Sequence, residues 1–336
     1  MRRLLVAMLL VPGIAAAQNT RSNAILTTTH FAFYSDLATN VNDALIASAV
    51  ARRAREPELF IAGPEKACFD GLAAADRDGW TRAVAYYTEG KSTGFQRVLL
   101  RLQLAGLAQR NGMDDPANRQ YLEEVAAMRN AATPAYQRCR WPEQDVLNRR
   151  WIDRVKPLLE THEAALGQVL PRLFQTPWAG LPFRVDLVQT VSPGANSASP
   201  DYPTLHILVS STNSGNQDRA ALETVFHEAV HFLATNDSPL GIALASAIKE
   251  GGGAPQPGLV HQVHFFLIGE AVRRVFVRAG GEPYTPYLYE HRLFSDQVRA
   301  AAQRIWPAYV DGTRTLPQAA GDFVRALNTG APKAQN

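Results

Sequence analysis

Beyond its first residues the sequence has no apolar run long enough to cross a bilayer, which excludes a membrane-spanning helix there. A surplus of one charge sign is also missing. The 34 Lys and Arg face 31 Asp and Glu, giving a formal net charge of +3, and two of the positive charges are Arg2 and Arg3. So small an excess provides no electrostatic footprint for nucleic acid or for an anionic membrane surface. Cysteine is scarce: Cys68 and Cys139 are the only two, and neither stands in a metal-ligand or redox spacing. No internal repeat occurs. Apolar residues, at 46%, are too many for a disordered chain, and 336 residues allow one large domain or two ordinary ones.

Residues 1–17 read as a secretory signal peptide. Arg2-Arg3 form a positive start, Leu4 to Val11 an apolar stretch too short to span a membrane, and Ala15-Ala16-Ala17 a small-residue site for cleavage before Gln18. The chain is therefore expected to be exported, to the periplasm or beyond the cell. In an oxidising compartment Cys68 and Cys139 have one possible partner each, so a disulfide is expected, with two buried thiols as the alternative.

The remaining pattern is α+β, mostly helical with one small sheet. His30 to Tyr34 suits a first strand, and Ser35 or Asp36 can cap a helix over Leu37–Arg53. Further helical patterns cover Trp80–Glu89, Gly94–Arg110, Pro116–Ala131 and Glu143–Leu170, with a break expected at Ala132-Thr-Pro134 and a bend at Pro157. These place a mainly helical region at residues 18–176. From 177 to 328 the character changes. Phe183–Val191 and Thr204–Ser210 alternate and are rich in β-branched residues, as strands are. The small, polar tail, residues 329–336, is expected to be disordered.

After the second strand, Asn213-Ser-Gly-Asn216 suits a turn and a helix cap. A helix from Gln217 to about Ala234 then buries a stripe of Leu222, Val225, Phe226, Ala229, Val230 and Leu233. His227 and His231 are four apart, so both imidazoles leave the same side and can meet at one metal ion. Glu228, one position on, can lie beside the metal without ligating it, where a general base takes a proton from metal-bound water.

This His-Glu-x-x-His segment resembles the zincin superfamily of zinc metallopeptidases, over roughly residues 183–290. The resemblance implies a Zn2+ cofactor, a small sheet beside the active-site helix, and hydrolysis of a peptide or protein substrate with Glu228 as general base. One departure is Ala229, where zincins usually carry a bulky apolar residue. The third histidine and glycine of metzincins are absent from Phe232–Asp237, which leaves the gluzincin pattern, with a glutamate ligand on a later helix.

Two glutamates compete for that place. Glu250 has a spacing familiar from gluzincin aminopeptidases, but Gly251-Gly252-Gly253 should end its helix at once. Glu270 lies within an almost wholly apolar helix, Leu259–Val272, where a carboxylate is costly to bury unless paired or bound to a metal. The expected ligand set is His227, His231 and Glu270, with Glu250, His261 or His264 as alternatives for the third place. An ion pair of Glu270 with Arg273 or Arg274 is the competing account of its burial. His261 is read as a group that orients a ligand or contacts substrate, or else as a core histidine. Tyr287, in Tyr284-Thr-Pro-Tyr287-Leu-Tyr289, is a candidate oxyanion donor on the resemblance alone, against a packing role. The other readings are an exported zinc-binding protein without peptidase activity, and a helical binding or scaffold protein.

Overall fold

Four of the five strands are short, and the sheet is buried between helices on one face and a polar group on the other. The structure is a computed structural model that describes residues 24–61, 63–90, 100, 116–189, 196–197, 205–251 and 258–330. The segment read as a signal peptide lies outside the described residues, as do the polar end, 331–336, and all of the expected Gly94–Arg110 helix except Leu100. The strands are β1 (Leu26–Thr27), β2 (Phe31–Tyr34), β3 (Phe183–Val188), β4 (Asn196–Ser197) and β5 (His206–Ser210), in the order β1-β2-β3-β5-β4. The central strands β2, β3 and β5 are parallel, and the two edges pair antiparallel. Alternation explains the two faces. Phe31, Phe33, Phe183, Val185, Leu187, Ile207 and Val209 enter the main core. On the opposite face Arg184 and His206 both bind Asp186, each at 2.7 Å, and the Arg184 guanidinium also lies over the Tyr34 ring.

The helices are α1 (Leu37–Ala54), α2 (Glu65–Asp70), α3 (Ala74–Thr88), α4 (Pro116–Cys139), α5 (Trp141–Phe174), α6 (Asp218–Val230), α7 (Pro239–Glu250), α8 (Leu259–Arg278), α9 (Tyr287–Glu290), α10 (Asp296–Val310) and α11 (Leu316–Gly330). The mostly helical α+β reading of the sequence is what the structure shows. Asp36, one of the two expected caps, accepts from the Thr39 N–H at the start of α1. Boundaries differ in places, α3 starting at Ala74 rather than Trp80. Helix α4 runs through the expected break: Ala132, Ala135 and Tyr136 are fully buried against Phe60 and Trp80, and this packing outweighs the missing N–H of Pro134. Helix α5 covers the expected Glu143–Leu170 range and, as expected, continues through Pro157. Helix α11 extends to Gly330, so residues 329–330 of the expected disordered tail are helical.

A second cluster, of Phe60, Phe69, Trp80 and Tyr136 among others, organises the helices before α5. The disulfide Cys68–Cys139 ties α2 to the end of α4 beside it. Polar contacts then dock α5 across the strand ends that lead to the site. Asn148 donates to Leu187 O at 2.9 Å and accepts from the Ser211 hydroxyl at 2.6 Å, while Trp151 Nε1 donates to Asn216 O at 2.7 Å. These bonds satisfy backbone groups that the sheet leaves open and fix where the chain enters α6.

The bridge closes a sequence separation of 71 residues. A Cys68→Ser/Cys139→Ser variant should lose roughly 4 kcal/mol of unfolding free energy by the chain-entropy account, read from urea denaturation.

Candidate metal centre

Every residue from Ala221 to Val230 in α6 is buried. That burial leaves no solvent for the two histidines of the motif, and their surroundings decide their chemistry. The turn before the helix is a single 3-10 turn, Ser214–Asn216, and Asn213 caps this turn rather than α6 by accepting from the Gly215 N–H at 2.8 Å. Asn216 holds the turn to β5 through its side-chain donation to Ser210 O. Helix α6 ends at Val230, earlier than the apolar stripe suggests, so His227 lies in its last turn and His231 at its C-cap.

Helix α8 brings two more histidines to the same place. His227, His231, His261 and His264 each offer one ligand atom, and these four atoms all lie within 4.8 Å of one another. His227 and His231 are one turn apart on α6, and His261 and His264 are at i, i+3 on α8, so each pair shares a helix face. His227 Nε2 and His261 Nε2 are 3.3 Å apart. Two nitrogens on one tetrahedral zinc, each at ~2.05 Å, would be about 3.3 Å apart. Aromatic rings close the surroundings: Phe265 has its centroid 3.9 Å from that of His227, Phe174 stands 5.9 Å from His264, and Phe294 stands 6.4 Å from His261.

The protonation of one imidazole follows from its partner. His264 Nε2 lies 2.9 Å from His227 O. A carbonyl oxygen only accepts, so this nitrogen carries the proton and Nδ1 carries a bare lone pair. His264 Nδ1 and His227 Nδ1 are both buried without a hydrogen-bond partner. Burial lowers the pKa of all four imidazoles, and their mutual proximity lowers His227, His231 and His264 further, taking His231 to about 3. Four neutral imidazoles with lone pairs in a dry site are a donor set that fits a divalent transition metal.

The expected third ligand is elsewhere. Glu270 binds Arg273 at 2.7 and 2.8 Å and Arg274 at 2.6 Å, and it is not among the four converging groups. Burial pushes its carboxyl up, but the hydrogen bonds and charges of the two arginines outweigh burial and hold it below the usual range. The arginines at i+3 and i+4 reach it along its own helix. Glu250 is exposed at the last residue of α7, before Gly251. His261 stands at ligand distance, beyond the orienting or substrate-contacting part read for it, and His264 joins it. Glu228 is buried on α6. Tyr287 packs against His291 at 4.0 Å in a tilted arrangement and stacks at 6.5 Å on Phe265, so Phe265 stands between it and the four clustered histidines.

Sequence reasoning passed over Glu223. It lies one turn before His227 on the buried face of α6, a position where a carboxylate stands out among apolar neighbours. Its Oε2 accepts from the Tyr284 hydroxyl at 2.6 Å and from the Tyr287 N–H at 3.1 Å, while Oε1 has no partner. It therefore ties the loop before α9 to the histidine helix. Gly269 of α8 faces it so closely that a Cβ there would come within 3.1 Å of Oε1 and 2.6 Å of Pro286 Cβ.

Burial raises the Glu223 pKa to about 7 from 4.5, against the lowering effect of its two hydrogen bonds. The folded state thus keeps a proton that the unfolded chain releases above pH 4.5. Its stability contribution is intact below that pH and is lost progressively as pH rises to about 7, a total of roughly 3 kcal/mol. Relative to its standing at pH 4.5, a Glu223→Gln variant should gain about that much on the parent at pH 8, measured by urea denaturation at both pH values.

No family model matches the sequence, and neither a curated protein nor a solved structure matches the chain.

Proposed function

We propose that the chain is an exported zinc-dependent hydrolase, of the peptidase type, with its metal held by the histidines of α6 and α8. The observation that carries this reading is the convergence of four neutral imidazoles, among them His264 with its Nδ1 lone pair buried and partnerless. His227, His231 and His264 are the deepest ligands, and His261 is the more accessible fourth. Bound there, zinc would supply a Lewis acid that polarises a substrate carbonyl and acidifies water. Glu228, between the two histidines of its helix, takes the proton from the attacking water and passes it to the leaving amine. The phenylalanines around the imidazoles keep bulk water out of the site, which strengthens each electrostatic contact inside it. The disulfide supports export, since such bridges persist in oxidising compartments. Among the described residues no helix is long and apolar enough to cross a membrane.

A second reading is favoured by the ligand number. Four imidazoles fill a tetrahedral zinc site, and closed sites are structural whereas hydrolytic ones keep a position open. An exported zinc-binding protein without peptidase activity would use the same residues.

Elemental analysis of the purified protein should find about one zinc per chain, lost in His227→Ala and His264→Ala and kept in Glu270→Ala. Glu228→Gln should keep the metal and lower the hydrolysis of an unstructured protein substrate by about 100-fold or more. Zinc retention with no hydrolysis in the parent would move the assignment to the closed, non-hydrolytic site. Absence of zinc after reconstitution would overturn both readings.

A further inference from the structure

At the far end of α8 from the histidines a cleft of about 380 Å³ opens between the ends of α5, α8 and α10 and the loop into α11. Arg274 is about 15 Å along the helix from His264 at 1.5 Å per residue. Arg172, Arg274, Arg278 and Arg314 line the cleft, over a floor that includes the buried Val275 and Leu316, and no Asp or Glu is among its lining residues. Arg274 and Arg314 already share carboxylates outside the cleft: Arg274 binds Glu270 and Asp311, and Arg314 binds Asp322. Arg172 and Arg278 have no ion pair or side-chain hydrogen bond among the described residues.

Converging like charges is unfavourable unless something offsets it. Part of the offset is local. Arg172 and Arg278 stand in the last turns of α5 and α8, where the helix carbonyl ends carry partial negative charge. That effect accounts for Arg172 and Arg278 singly, as carboxylates do for Arg274 and Arg314, but neither accounts for four arginines from three parts of the chain facing one apolar floor.

We propose that this cleft binds a small amphiphilic anion: one carboxylate-like head on a short apolar body. The guanidinium fork of an arginine matches a carboxylate in two parallel hydrogen bonds, and Arg172 and Arg278 have their forks unengaged. The floor takes the hydrocarbon part, and the volume is at the lower end for small-ligand sites, which limits the ligand to a short chain. The site is separate from the histidine cluster and does not depend on a metal being held there.

The probes are octanoate, octanol and inorganic phosphate, titrated calorimetrically into the full chain. Octanoate should bind one to one, about tenfold or more tighter than either octanol or phosphate, because only it engages both the rim and the floor. An Arg172→Ala/Arg278→Ala variant should weaken octanoate about tenfold or more, with zinc content and melting temperature unchanged, since both side chains are exposed. Arg278→Glu alone should remove most of the binding. No octanoate binding, or binding unaltered in either variant, would overturn the site. Octanol binding as tightly as octanoate would reduce the cleft to an apolar crevice, and phosphate binding as tightly would reduce it to a charged rim; each overturns the proposal. None of these results bears on the hydrolase reading, which zinc analysis tests.

Discussion

Helices α6 and α8 face each other where Gly269 lies against the Glu223 carboxylate and Pro286, so that a Cβ there would come within 3.1 Å of Glu223 Oε1 and 2.6 Å of Pro286 Cβ. Side chains from both helices reach one point, and the four imidazoles occupy it. A bulkier residue at 269 would have to displace Pro286 and the Glu223 carboxylate, which together hold the loop before α9. The sheet contributes by fixing the entry to α6, through Asn216 and the α5 side chains that hold it and its neighbours. Glu223 holds the loop before α9 against the same helix, so Tyr284 and Tyr287 are positioned by the approach that assembles the histidines.

The geometry sets an energetic problem. Three titratable rings are buried and a fourth, His261, is half-buried, beside phenylalanines that favour the neutral form of each. Two nitrogens have no hydrogen-bond partner, which proteins rarely leave so in a dry interior without a reason. A metal ion would meet the first condition, because it needs neutral imidazoles, and would take up the lone pair of His264 Nδ1; His227 faces His261 through Nε2, so its Nδ1 is left to another partner. Glu270 shows the contrasting solution on the same helix: its burial is offset by two arginines within one turn.

What the sequence disclosed was what depends on local spacing. The i, i+4 pair of His227 and His231, the buried stripe of α6, the alternating strands β3 and β5 and the pairing of the two cysteines all follow from periodicity or arithmetic. The identity of the other ligands does not. An almost wholly apolar helix, Leu259–Arg278, carries both Glu270 and the i, i+3 pair His261 and His264, and the choice among them depends on how α8 is rotated against α6. Local chemistry held a clue, since Arg273 and Arg274 stand where they can satisfy Glu270 without a metal. Pro134 failed as a breaker for a similar reason, since the alanines and Tyr136 around it are fully buried by residues distant in sequence.

The disulfide has a further consequence for the integrity of the chain. Cys139 is the last residue of α4, and α5, which supports the sheet and the histidine helix, starts at Trp141. A peptide bond cut anywhere between Cys68 and Cys139 would therefore leave two fragments still joined through sulfur. The piece carrying β1, β2 and α1 could not diffuse away from the piece carrying the histidines. Covalent continuity between the first strands and the histidine cluster thus runs by two routes, and only one of them is peptide.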